Sequence, residues 1–226
     1  MYIPEINTYF VHVPKAGGTS VELFFLRNVC GYPDFQERNM FRQFITKYGG
    51  RINASRYHFG QPTPERLPTG ETQHLSAWQL KAWNDKAFTG SKYTFAFVRN
   101  PYDKFVSEVI WKRERLPGKA NITFEQQIRA MKAETARDNM KIRTPHNAPQ
   151  WKFVYDEKDN LIVDDVFRLE EMGKAQKVIS EKLGIPINFG HENRTTRKHY
   201  KEYLNADLVK QLKPLIQKDM EVFGYD

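Results

Sequence analysis

Lys15, Gly17, Gly18, Thr19 and Ser20 stand together in the stretch FVHVPKAGGTSVE, residues 10 to 22, and these residue types suit the holding of an anion. An apolar run closes at Pro14, and a helix start follows. Thr19 and Glu22 have the T-x-x-E spacing of a capping box, which predicts a helix beginning at the end of the glycine pair. A helix N-terminus presents unpaired N–H groups and a partial positive charge. The two glycines let the backbone wrap close to a ligand, Lys15 adds a point charge, and Thr19 and Ser20 add hydroxyl donors around Ala16. The common phosphate loop reads G-x-x-x-x-G-K-[ST]. Here the lysine comes before the glycines, so the anion is not simply assumed to be that of a nucleotide triphosphate.

A second candidate lies in VRNPYDKFVSEV, residues 98 to 109. Arg99 follows an apolar run, and Ser107 falls on the helix that Pro101 opens, with Asn100 as its cap. Ligands of open α/β sheets sit at such strand ends. An arginine there forks onto a phosphate, and a helical serine donates a second bond. Each feature has a plainer reading when taken alone: a strand-to-helix turn in the first case, an arginine closing a strand in the second.

The elements that must position these residues follow from the pattern of apolar residues. Runs at 8–13 and 93–98 read as buried strands. Helices are predicted over 19–29, over 76–85 with a Ser76/Gln79 capping box, from Pro101 to about Arg115, and over 123–138, 171–183 and 205–222. Residues 152–170 read as a hairpin or two strands around a polar turn. Strand–helix alternation implies an α/β fold with a mostly parallel sheet. The 226 residues, 40% hydrophobic and 14% aromatic, support one domain over 1–226 with a real core. The single cysteine, Cys30, allows no intrachain disulfide. No apolar run reaches the length of a membrane span and the N-terminus lacks a signal pattern, so a cytoplasmic protein is expected. The formal charge is +8. The excess gathers at 112–143 and 192–201, a pattern that attracts anionic partners without naming them.

The order PKAGGTS after a strand, then FVRNPYDKFVSEV some eighty residues on, resembles the sulfotransferases that use 3′-phosphoadenosine 5′-phosphosulfate (PAPS). The likeness is to the carbohydrate group that includes heparan sulfate 2-O-sulfotransferases, and to its bacterial relatives. VDDVFRLEEM and the ending DMEVFGYD are similar to later segments of that family. The resemblance implies a P-loop-like three-layer α/β fold, its mostly parallel central sheet flanked by helices. It also implies that Lys15, Ala16, Gly17, Gly18, Thr19 and Ser20 hold the 5′-phosphosulfate, and that Arg99 and Ser107 hold the 3′-phosphate. The co-substrate would be PAPS and the product 3′-phosphoadenosine 5′-phosphate. The residues themselves offer no metal-ligand pattern and no membrane span, and no nucleic-acid partner is expected. A sugar hydroxyl is the implied acceptor.

Such a transfer needs a base for the acceptor proton. His74, just ahead of the Ser76 cap, is the first candidate, because a helix start favours a neutral imidazole, and the family places a histidine ahead of a similar helix. His58 is the rival base. His12, within the first strand, reads as structural, and His146, His191 and His199 fall in polar basic loops. Arg194 and Thr196 are candidates to reach the nucleotide. The Asp164–Asp165 pair ends a predicted strand with no matching metal ligands. Two other readings stay open from the residues alone: an ATP-dependent phosphotransferase, which would need magnesium carboxylates, and a non-catalytic polyanion or nucleic-acid binder.

Overall fold

The two apolar runs pair side by side in one sheet, and the turns that leave them carry the candidate site. The computed structural model describes residues 1–33, 73–83, 85–136, 140, 142–190 and 197–226. His58, His191, Arg194 and Thr196 lie outside the described residues. The sheet has four strands in spatial order: β1 (Tyr2–Ile3), β2 (Thr8–Val11), β3 (Tyr93–Val98) and β4 (Asp165–Arg168). β1 is antiparallel to β2, with Tyr2 opposite Tyr9. The other two pairings are parallel, with Phe10 opposite Phe95 and Ala96 opposite Val166. Among the described residues there are seven α-helices: α1 (Gly18–Asn28), α2 (Ala77–Trp83), α3 (Asp85–Thr89), α4 (Pro101–Arg115), α5 (Phe124–Thr135), α6 (Met172–Leu183) and α7 (Ala206–Phe223). This is a mixed α/β arrangement on a mostly parallel sheet, as the alternation predicts.

Local chemistry accounts for most of the element ends. β3 is buried at every residue, which is why it reads as an unbroken apolar run. Its Phe95 ring lies against Phe10, Phe25 and Phe97. Asn100 caps α4 by accepting from the Tyr102 and Asp103 N–H groups, with Pro101 in the first turn. Ser76 and Gln79 form the predicted reciprocal box ahead of α2, at 3.0 and 3.2 Å. α4, α5 and α7 meet over a second apolar cluster that includes Phe105, Val109, Ile128, Leu208 and Leu212.

Four expectations are corrected. β2 stops at Val11 rather than 13, because the Val13 N–H already turns back to the Val11 carbonyl and Pro14 has no N–H to offer a neighbour. α1 starts at Gly18 behind Gly17 with no side-chain cap, so Thr19 and Glu22 are not a capping box; Glu22 is wholly buried and bonded elsewhere. Residues 152–170 make one isolated bridge, Tyr155 to Leu161, and then a single sheet strand. Asp164 and Asp165 open that strand instead of ending one: Asp164 accepts from the Thr94 N–H and hydroxyl at 2.7 Å each, and Asp165 from the Tyr93 hydroxyl at 2.6 Å.

At the end of β3 a side chain takes over the pairing of the sheet. The wholly buried Gln150 accepts the Arg99 N–H at 2.9 Å and donates to the Arg99 carbonyl at 2.8 Å. Gln150 is itself held through its N–H by Asp219. Replacing it with an apolar residue of similar size leaves two backbone groups unpaired, each costing about 1–3 kcal/mol. Gln150→Leu is therefore expected to lose about 2–4 kcal/mol in urea denaturation, and a loss under 1 kcal/mol would show that water repairs the gap.

Candidate active site

Residues 12 to 18 turn from the strand end into α1, and His12 organises the turn. Its Nδ1 lies 2.9 Å from Oε1 of Glu22, and Gln73 donates to the other Glu22 oxygen at 2.9 Å. The His12 ring also lies close against Gly18: a Cβ there would fall 2.1 Å from Cδ2 and Nε2 of that ring. Gly17 has φ 80 and would push a Cβ to 2.7 Å from a Leu169 methyl. Both glycines are thus required by space, and Gly17 by its backbone as well. Lys15 has φ 66 without being glycine. Such left-handed lysines are uncommon, and strain of this kind gathers at functional turns. No side chain caps α1; the Ser20 N–H in its first turn donates to the Gly17 carbonyl at 3.1 Å.

The Lys15 ammonium sits 4.9 Å from the centre of the Trp111 ring, a cation–π distance. Burial pulls its pKa down to about 8, against the pull of the Glu108 carboxylate and with help from the nearby charges of Arg99, Lys104 and Arg115. Arg99 reaches the same loop, donating from Nη1 to the Lys15 carbonyl at 3.3 Å. Its Nε bonds Asp103 at 2.6 Å, and Arg197 pairs with the other oxygen of that carboxylate. Two guanidinium groups therefore converge beside the loop, with an aspartate between them. Ser107 lies buried two turns further along α4.

His74 is brought to this place by its own backbone contact. Its Nδ1 lies 3.1 Å from the carbonyl oxygen of His12. A carbonyl only accepts, so Nδ1 carries the proton and Nε2 keeps the free lone pair. Burial lowers the His74 pKa well below the ordinary histidine value, and the neighbouring His12 and His146 lower it further, against the hydrogen bond to the His12 carbonyl. The imidazole is neutral and points a basic nitrogen away from the bonded edge.

Sequence reasoning missed the neighbours on the far side. His146 lies in a short 3₁₀ turn (Pro145–Asn147), its ring 5.1 Å from that of His74, edge to face, and stacked on Trp111 at 4.8 Å. Its Nδ1 is 2.8 Å from Oε2 of Glu108. Burial works against the charge of Glu108, yet the bond and charge of His146 and the ammonium groups of Lys112 and Lys104 hold its carboxyl down to about 2. His12, His74, His146, Trp111 and Lys15 thus form one continuous row. Glu108 and Trp111 stand three residues apart on α4, which in the sequence looks like one side of an ordinary helix.

The family model described as the sulfotransferase family matches residues 1–226, the whole chain. The chain belongs to the sulfotransferase family. It is therefore an enzyme of sulfuryl transfer, and the phosphotransferase and polyanion-binder readings are not favoured. No curated protein and no solved structure matches it significantly. In this sulfotransferase no helix among the described residues is long and apolar enough to cross a membrane.

Because Glu22 and Gln73 pin the His12 ring, it has little room to move away from Gly18. Gly18→Ala should cost about 1–3 kcal/mol or more through overpacking, read by thermal or urea unfolding. A variant as stable as the parent would mean that His12 swings freely and does not order the loop.

Proposed function

We propose that this sulfotransferase takes its sulfuryl group from PAPS and places it on an acceptor hydroxyl, on a carbohydrate, by in-line attack with His74 as the base and no metal. The family generally uses PAPS, and the fold is read as P-loop-like with three layers. The observation that carries the proposal is the tautomer of His74: a neutral imidazole with its acceptor nitrogen free, in a row that ends at the Lys15 ammonium.

The residues of the loop fit a phosphosulfate. Two glycines press the backbone close, α1 turns the positive end of its dipole to the loop, and Lys15, Thr19 and Ser20 bring a charge and hydroxyls. PAPS would supply an activated sulfuryl group on a phosphate that leaves as an anion. Lys15 stabilises the charge gathering on that leaving oxygen, where a fixed cation in a half-buried site acts most strongly. Arg99 and Ser107 hold the 3′-phosphate, and Asp103 orients the arginine through its bond to Nε. His74 takes the acceptor proton at Nε2. The basic residues of 112–143 suit an acidic glycan.

Incubation with labelled PAPS and a panel of glycans and small alcohols tests the reaction itself. Transfer to none of them, with tight binding of the product nucleotide, would sink the acceptor class but not the donor.

Two outcomes are expected in detail. Calorimetry without magnesium should show 3′-phosphoadenosine 5′-phosphate binding far better than 5′-AMP, and Arg99→Ala should remove about 2–4 kcal/mol of that binding. Equal affinity for the two nucleotides would overturn the assignment of Arg99 and Ser107.

His74→Ala should lose roughly 10²–10⁴ in kcat while the nucleotide still binds. The pH profile of kcat/KM should be bell-shaped. A base acts when neutral, so with its pKa lowered His74 is fully active above an acid limb lying below about 6.5. Lys15 acts when charged, so activity falls as pH rises through about 8. A profile that climbs steadily beyond pH 9 would remove Lys15 from the reaction.

A further inference from the structure

His74 is well placed to take a proton and poorly placed to keep it. Its Nδ1 faces a backbone carbonyl, its ring is 9% exposed, and its ring neighbours are two other histidines. The partner of its Nδ1 is a carbonyl, not a carboxylate. An imidazolium formed there is buried without a counter-ion, which is costly. The adjacent histidine is built the other way. His146 donates from Nδ1 to Glu108, a carboxylate that is 1% exposed, and its own side chain is 28% exposed. Trp111 stacks on its ring and Lys112 approaches the second Glu108 oxygen at 3.2 Å. The segment that carries His146 is fixed at both ends. Before it, Glu134 accepts from the Arg143 N–H and the Thr144 hydroxyl; after it, Lys104 donates to the Ala148 carbonyl.

We propose that His146, backed by Glu108, is the relay that receives the acceptor's proton from His74 and releases it to water. The proposal rests on the reading of His74 as base. The steps balance. As the acceptor oxygen bonds to sulfur, its O–H bond breaks and the proton joins Nε2 of His74. That proton then passes to Nε2 of His146 through a bridging water, since an edge-to-face pair does not aim one ring nitrogen at the other. His74 returns to its neutral tautomer, and His146 holds the proton as an imidazolium paired with Glu108 until solvent takes it. No oxidant or further reactant is involved.

The test is chemical rescue in the full chain. His146→Ala should lower kcat by tenfold or more with unchanged binding of 3′-phosphoadenosine 5′-phosphate, and imidazole in the buffer should restore the rate in proportion to its concentration. His146→Phe keeps an aromatic ring on Trp111 and should be as slow as His146→Ala, which separates the relay from stacking. Glu108→Gln should also be slow, and its circular dichroism should match the parent. The relay is overturned if His146→Ala turns over at the parental rate, or if its loss is insensitive to imidazole and repaired by phenylalanine. His74→Ala distinguishes this failure from that of the underlying reading: a fast His74→Ala variant beside a slow His146→Ala variant would remove His74 as base, and the relay with it.

Discussion

Two bonds and one surface meet at His12, the residue that follows β2. Its ring nitrogen is tied to Glu22 in α1, its carbonyl receives His74, and its ring forms the floor under Gly18. A strand, a helix and the segment before a second helix are thereby locked at one point. The Glu22 carboxylate has both oxygens occupied, by His12 and by Gln73. A buried carboxylate in that position is tolerable only because its partners are in place. The distance between the glycine turn and the His74 imidazole is thus set by the backbone of a single residue, not by two independent loops.

The other half of the site depends on α4. Its start is fixed by Asn100 and Pro101, and just before it Gln150 holds the Arg99 backbone as a neighbouring strand would. Along it come the buried Lys104, Ser107 and Glu108 and the half-buried Trp111, so one rigid element presents cation, hydroxyl, carboxylate and indole at fixed spacing. Sites on helices hold geometry better than sites on loops. The cost is charge in the interior, which the helix manages locally: Lys104 and Lys112 both lie near Glu108, and Lys104 also faces Asp219.

Much of this was legible in the sequence, and the gaps have a physical pattern. β3, the start of α4 and the Ser76/Gln79 box were readable because their signals lie within a few residues of one another: an unbroken apolar run, a cap before a proline, a serine three residues from a glutamine. The turn at the glycine pair was readable for the same reason, since the strand end, Pro14 and the helix start lie within a few residues of one another. What misled was a local signal with a distant owner. Glu22 has the spacing of a helix cap, but burial against His12 claims it instead. His146 looked like one more loop histidine because its partner Glu108 is separated from it by 38 residues and its ring neighbour Trp111 lies on a different element. Pairings of that kind leave no periodicity to read.

The pairings also bear on how this chain reaches its native state. The contacts that define the site join residues far apart along the chain: 62 positions separate His12 from His74, 84 separate Lys15 from Arg99, and 51 separate Arg99 from Gln150. β2 meets β3 and β3 meets β4 in parallel, across comparable spans. Such topologies fold slowly, because the entropy of closing long loops is lost before the contacts repay it. No fragment short of the segment from β2 through Gln150 holds the site's partners together. A nascent chain therefore completes this arrangement late, when the strand end at His12, the His74 imidazole ahead of α2 and the Glu108 carboxylate on α4 are all synthesised and docked. Until then its apolar strands are open to misplaced neighbours.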